Sequence, residues 1–134
     1  MTAKVIYTGN LRTVCTHLHS GSTIETDAPT DNHGKGERFS PTDLVATALA
    51  TCIVTTIGIK TRDMHVNING LTCEVQKIMT TDPRRIAEIK IHMVFPKTEN
   101  YSDKEKTIME RVAHTCPVAM SLHPDLKQTL SFEY

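Results

Sequence analysis

Four cysteines, Cys15, Cys52, Cys73 and Cys116, are the most reactive side chains in this sequence. They lie far apart, with no C-x-x-C pair and no short regular spacing. A disulfide framework is therefore not expected, and the usual role of such a cysteine is that of a small core residue. Two of them stand in more telling surroundings. Cys116 precedes Pro117 and opens a predicted helix, with Thr115 as the expected cap. Free amides and the helix dipole at that end favour a thiolate, so the sequence predicts a lowered thiol pKa there. Cys52 lies in Ala48-Leu49-Ala50-Thr51-Cys52-Ile53, which reads as buried helix. A third constellation is Cys15, His17 and His19, spaced i, i+2 and i+4. On a strand these three share a face, and sulfur plus imidazole suits zinc or copper. No fourth ligand stands out, and solvated side chains are the simpler reading.

These residues need elements to hold them. Val5, Tyr7 and Val14-Cys15-Thr16 are β-favouring around a Gly9-Asn10 turn. Ser20-Gly21 marks a second turn before a short strand over 22–26, and 27–36, rich in Pro, Gly, Asp and Asn, reads as a loop. Ser40 is a good N-cap, Pro41 suits the first helical position, and Asp43 sits third. Residues 44–59 are then apolar on most faces, the mark of a helix buried all round. Period two returns after Asp63, first at Val66 and Ile68, then at Leu71, Cys73 and Val75 beyond Asn69-Gly70. Asp82-Pro83-Arg84-Arg85 is a turn, and Ile89, Ile91, Met93 and Phe95 alternate as the inner face of a strand. Ser102 and Glu105 form a predicted capping box for a helix with the buried stripe Ile108, Met109 and Val112. A short helix from Cys116-Pro117 runs through Leu122, Pro124 ends it, and 126–134 closes with a strand. The sum is one α+β domain over 1–134: N-terminal strands, a long buried central helix, a β-hairpin, a helix pair and a last strand.

Ser40-Pro41-Thr42-Asp43-Leu44, a small-residue helix reaching Cys52, and the late Cys116-Pro117-Val118 together resemble the OsmC/Ohr family. That family carries an Asn/Ser-Pro-acid-x-Leu motif about eleven residues before its first cysteine, and here Pro41 precedes Cys52 by eleven. Its second cysteine opens a late helix in a Cys-Pro motif. The resemblance covers nearly the whole chain and implies an intertwined homodimer that buries its central helices and forms two sites at the subunit interface. It also implies reduction of organic hydroperoxides by thiol chemistry. Cys52 would attack the peroxide and become a sulfenic acid. Cys116 would condense with it to a disulfide, and an external dithiol would restore both, with no bound cofactor. In the hydroperoxide-resistance branch an arginine from the N-terminal strands supports the thiolate, held by a glutamate directly after the motif proline. This chain has Thr42 at that position, and Asp43 one step later reads as a capping residue. No clear motif anchors that arginine here, and Arg12, just after the first turn, is the first choice. Arg38 is the alternative, and Glu37 is able to pair with either.

Composition narrows the rest. The chain has 134 residues, 39% of them hydrophobic and 22% charged, with 15 Lys and Arg against 15 Asp and Glu. Neutral charge without a basic run, and the lack of any Trp, give no support to nucleic-acid binding. No apolar run of about 18 residues is evident, so no membrane helix is expected. The N-terminus lacks a signal-peptide core, which gives a cytoplasmic expectation. A thiol peroxidase using Cys52, Cys116 and Arg12 is thus the leading reading. A non-catalytic dimeric stress or redox-sensing protein is the second, favoured by Thr42, and a metal-binding domain at Cys15, His17 and His19 is the third.

Overall fold

The computed structural model describes all residues from Met1 to Tyr134. The chain divides into two compact units, Met1–Val45 and Ala46–Tyr134. The first unit is an antiparallel sheet of β1 (Ala3–Gly9), β2 (Arg12–His17) and β3 (Thr23–Asp27), in that spatial order. The first turn passes through Gly9, Asn10 and Leu11, all at positive φ (92°, 54° and 59°). Glycine and asparagine tolerate that region well, so Leu11 carries the strain of the turn. The register places Val5, Cys15 and Ile24 in one row across the three strands, and sets Arg12 opposite Asp27. Val5, Tyr7 and Ile24 are each more than half exposed.

The long helix α1 (Pro41–Asp63) begins at the end of the first unit and runs through the second. Its start is a reciprocal cap. The Ser40 amide donates to the Asp43 carboxylate at 2.8 Å, and the Asp43 amide donates to the Ser40 hydroxyl at 3.1 Å. Two orphan donors of the first turn are satisfied in this way, and the acid sits at the positive end of the helix. The helix buries Ala46, Leu49, Ala50, Ile53, Ile57 and Thr61, a stripe at three- and four-residue spacing. The sequence predicts burial all round; in the single chain this stripe is fully buried, Leu44, Cys52 and Val54 are partly covered, and Val45, Ala48, Thr55 and Ile59 are exposed. The helix is also long and apolar enough, by length and composition, to cross a membrane, which corrects the expectation that no segment qualifies. Its buried stripe, however, packs into the same core as the strand residues described next.

The second unit continues with β4 (Thr72–Thr80), β5 (Arg85–Val94), α2 (Asp103–Ala113), α3 (Pro117–Ser121) and β6 (Lys127–Glu133). The sheet order is β4-β5-β6, antiparallel between β4 and β5 and parallel between β5 and β6. A parallel pair needs a crossover, and α2 with α3 supplies it. No strand forms over 66–68. The Val66 amide bonds back to the Thr61 carbonyl and the Leu71 amide to the Ile68 carbonyl, so the stretch is a turn despite its alternation. The predicted alternation along β5 holds: Ile89, Ile91, Met93 and Phe95 are at most 1% exposed. The capping box of α2 forms as read, with Ser102 and Glu105 exchanging bonds. That helix buries Met109 and Ala113, while Ile108 and Val112 are only partly covered. The core therefore lies between α1, β5, α2 and α3, and it includes Cys116.

Ile53 is fully buried at the centre of this core. Ile53→Ala should lower the unfolding free energy by about 2–5 kcal/mol. Thr107→Ala, on the exposed side of α2, should change it by less than about 0.5 kcal/mol. Urea titration of both variants checks this; equal effects would contradict the assignment of the core.

Candidate active site

Both thiols of interest lie in the second unit. Cys52 sits on α1, half-buried and packed against the core. Cys116 is fully buried, and it is itself the N-cap of α3. Its backbone is extended (φ −67°, ψ 150°), Pro117 follows at the first helical position, and Sγ accepts the Ala119 amide at 3.3 Å. Thr115, the cap expected from sequence, instead turns its hydroxyl back to the Val112 carbonyl at 3.0 Å. The far side of α3 is tied to β6, because the Gln128 side chain donates to the Ala119 carbonyl at 3.0 Å.

The thiol pKa at Cys116 moves opposite to the sequence expectation. Burial pushes it up, the Ala119 and Val118 amides oppose this more weakly, and interaction with the Cys52 thiol, by hydrogen bonding and by charge, pushes it up further. A sulfur with no access to water cannot spread its charge into solvent, and a five-residue helix supplies too little field to offset that loss. The core thus includes the buried Cys116 with Cys52 packed against it, and burial favours the protonated form of the Cys116 thiol.

Arg12 lies in the first unit, at the start of β2. Its Nε donates to Asp27 Oδ1 at 2.7 Å and its Nη2 to Asp27 Oδ2 at 2.8 Å. A further Nη2 bond reaches Glu37 Oε2 at 2.8 Å. These bonds raise the guanidinium pKa, Asp27 contributing most, and the same ion pair holds the Asp27 carboxyl below the usual range. Of the two arginines Glu37 was able to join, it takes Arg12; Arg38 pairs with Glu25 at 2.8 Å. Asp27 was missed because it was read as the first residue of a loop. The Ser20-Gly21 turn held the signal, since a hairpin folded about it places residues 12 and 27 opposite one another.

The Cys15, His17 and His19 constellation does not assemble. β2 ends at His17, His19 falls in the turn, and His17 Nδ1 is 2.7 Å from the Ser20 hydroxyl. No three His, Cys, Asp or Glu side chains converge as a metal site needs. Cys73 lies on β4, half-buried, its thiol pushed up by burial. It lines a groove of about 330 Å³ with Thr51, Val54 and Leu71.

Comparison with known proteins identifies the family and the fold. The family model described as OsmC-like protein matches residues 34–131. No curated protein sequence matches the chain. Among solved structures, a candidate osmotic stress induced and detoxification response protein from Psychrobacter arcticus 273-4 is 52% identical. The match covers 99% of this chain and 96% of that one, with a TM-score of 0.95. An OsmC-like protein from Mycoplasma pneumoniae shares the fold at 20% identity, covering 97% of this chain and 93% of that one, with a TM-score of 0.78. An organic hydroperoxide resistance protein OsmC from Legionella pneumophila does so at 18% identity, covering 98% and 95%, with a TM-score of 0.74. The α+β architecture is thus the OsmC-like fold.

The raised Cys116 pKa carries a pH dependence. Above the ordinary thiol value of 9.0 the unfolded chain loses this proton while the folded chain keeps it. The unfolded state then binds fewer protons, so stability falls as pH rises through that range. Cys73 adds the same sign. Urea midpoints between about pH 8 and about pH 10 should therefore fall in the native sequence and fall less steeply in Cys116→Ala. Equal slopes would contradict the burial of this thiol.

Proposed function

The chain belongs to the OsmC-like protein family, and on that premise we propose that it is a thiol-dependent peroxidase acting on organic hydroperoxides through Cys52 and Cys116. The observation that supports the reading is that half-buried Cys52 packs against the core that contains fully buried Cys116. Access divides their roles. Only the half-buried Cys52 can be reached by a peroxide without opening the core. Its thiolate attacks the terminal oxygen of ROOH, the O–O bond breaks, and the leaving alkoxide takes up a proton as the alcohol. Cys52 is left as a sulfenic acid. The Cys116 sulfur then attacks the Cys52 sulfur, the S–O bond breaks, and the hydroxyl leaves as water with the proton from Cys116. An external dithiol reduces the resulting disulfide by exchange, and no bound cofactor enters. Small neighbours along α1, such as Ala48 and Thr51, and the apolar core favour organic peroxides over hydrogen peroxide.

Arg12 is proposed as the cation that supports the Cys52 thiolate. What it can offer is limited by its partners. With Asp27 and Glu37 ionised, the cluster carries a net charge of −1. Its Nε and Nη2 are committed to Asp27 and Glu37. The chain is further proposed to work as one cytoplasmic domain and as an intertwined homodimer. The exposed apolar residues of α1 and of the first sheet, among them Ile59, Val5 and Tyr7, motivate the dimer. Faces of this kind rarely stay uncovered.

Cys52→Ser should abolish consumption of cumene hydroperoxide. Cys116→Ser should consume about one equivalent and leave a sulfenic acid on Cys52 that dimedone traps. Cys15→Ser and Cys73→Ser should turn over normally. A trapped sulfenic acid on Cys116 in Cys52→Ser would reverse the roles. Unchanged turnover in both variants would end the thiol mechanism and leave a non-catalytic stress or redox-sensing protein. Light scattering should give twice the chain mass of 14.9 kDa at micromolar concentration, and a stable monomer would exclude the dimer.

A further inference from the structure

We propose a further active site on the outer face of the second unit's sheet, where Ser131 is a nucleophile towards small activated carboxylic esters, His92 its general base and Glu133 the residue that positions His92. Alternation along β5 turns Ile91 and Met93 into the core, at 1% and 0% exposure, so His92 between them faces outward. The parallel register sets Ser131 opposite His92, and Glu133 opposite Val94. Ser131 and Glu133 stand two apart on β6 and share this face. The Ser131 hydroxyl lies 2.8 Å from His92 Nδ1, and Glu133 Oε2 lies 3.5 Å from His92 Nε2. Hydroxyl, imidazole and carboxylate thus follow one another across two strands, one on each side of the ring.

The surroundings of the carboxylate support this order of roles. Lys97 Nζ donates to Glu133 Oε1 at 2.8 Å, which leaves Oε2 on the imidazole side. A second Lys97 bond, to the Tyr134 carbonyl at 3.0 Å, fixes the ammonium. The Lys97 hydrogen bond and charge hold the Glu133 carboxyl below the usual range, and His92 adds to this more weakly. A carboxylate facing Nε2 favours the tautomer that carries its proton there. Nδ1 is then the acceptor and the Ser131 hydroxyl donates to it, as a general base requires. Either ring nitrogen can take a proton, so roles rather than atom names define the constellation.

A groove of about 270 Å³ opens over these residues, lined also by Glu74, Gln76, Lys90 and Thr129. Gln76, Lys90 and Thr129 form the next row across the three strands. Its ammonium and amide are donors for an oxygen that gains negative charge. The volume suits a short acyl group such as acetyl. In the acylation step the Ser131 oxygen bonds to the ester carbonyl carbon and its proton passes to His92 Nδ1. The bond from that carbon to the leaving oxygen breaks, and the alcohol departs with the proton from Nδ1. Water then gives a proton to Nδ1 and its oxygen bonds to the acyl carbon. The acid leaves, and Ser131 takes the proton back. No electrons change hands, so this site stands apart from the thiol chemistry.

The test exposes the full-length protein to 4-nitrophenyl acetate and locates acetyl groups by peptide-resolved mass spectrometry after an acid quench. Native protein should carry an ester on Ser131 that disappears with time once the reagent is removed. Ser20, whose hydroxyl lies 2.7 Å from His17 Nδ1 in the first unit, is the internal comparison and should be labelled far less. His92→Gln should slow Ser131 acetylation at least roughly tenfold and leave the ester it does form long-lived. Glu133→Gln should slow it by about threefold or more, but should slow it no further when added to His92→Gln, because Glu133 acts through the imidazole. Acetyl groups confined to cysteines and lysines, equal labelling of Ser20 and Ser131, or a native rate in His92→Gln would overturn the site. Further slowing by Glu133→Gln in the absence of His92 would overturn the positioning role of Glu133.

Discussion

The burial of the Cys116 sulfur is the constraint on which the second unit is built. A thiol with no solvent access must be enclosed on every side, and each neighbouring element contributes a wall. The buried core that includes it takes Ile89, Ile91 and Met93 from β5, Leu49 and Ile53 from α1, and Met109 and Ala113 from α2. The parallel pairing of β6 with β5 requires a crossover, and α3, which Cys116 opens, lies within it. Gln128 on β6 then pins α3 through the Ala119 carbonyl. Cys116, and Cys52 packed against the same core, are thus held by the core itself rather than by a surface loop, which would suit the proposed chemistry.

A thiol kept protonated beside a more accessible one is a useful asymmetry. Cys116 faces a Cys52 whose charge and hydrogen bonding both disfavour a second thiolate. Two adjacent thiolates in a poorly solvated site would repel strongly, which favours keeping the Cys116 proton. In the proposed mechanism that proton departs with water when the sulfenic acid is resolved. In the first unit the charges are arranged by a related logic. Arg12 is paired with two carboxylates, one buried and one exposed.

Much of this was legible in the sequence where local rules decide the outcome. The caps at Ser40 and Ser102 could be read because a cap depends on residues three apart. The β5 pattern could be read because a buried strand face has period two. The Cys-Pro start of α3 was visible, but its electrostatics were not. The helix terminus is local and favours a thiolate, whereas the burial that outweighs it comes from α1, α2 and β5 and leaves no trace near residue 116. Asp27 was hidden for a similar reason, since its partner lies 15 residues away and only the hairpin register joins them. Alternation at Val66 and Ile68 misled because a turn closing on Thr61 produces the same spacing. The apolar surround of α1 suggested full burial, yet one chain fully buries only one stripe.

The central claim is that Cys52 and Cys116 act as a pair. The most direct measurement is peptide mapping by mass spectrometry, without reduction, of native protein treated with one equivalent of cumene hydroperoxide. The account predicts a single new linkage joining the Cys52 and Cys116 peptides, with Cys15 and Cys73 still alkylatable after denaturation. Cys52 accumulating as a sulfinic acid with Cys116 still a free thiol, or a linkage through Cys15 or Cys73, would contradict it.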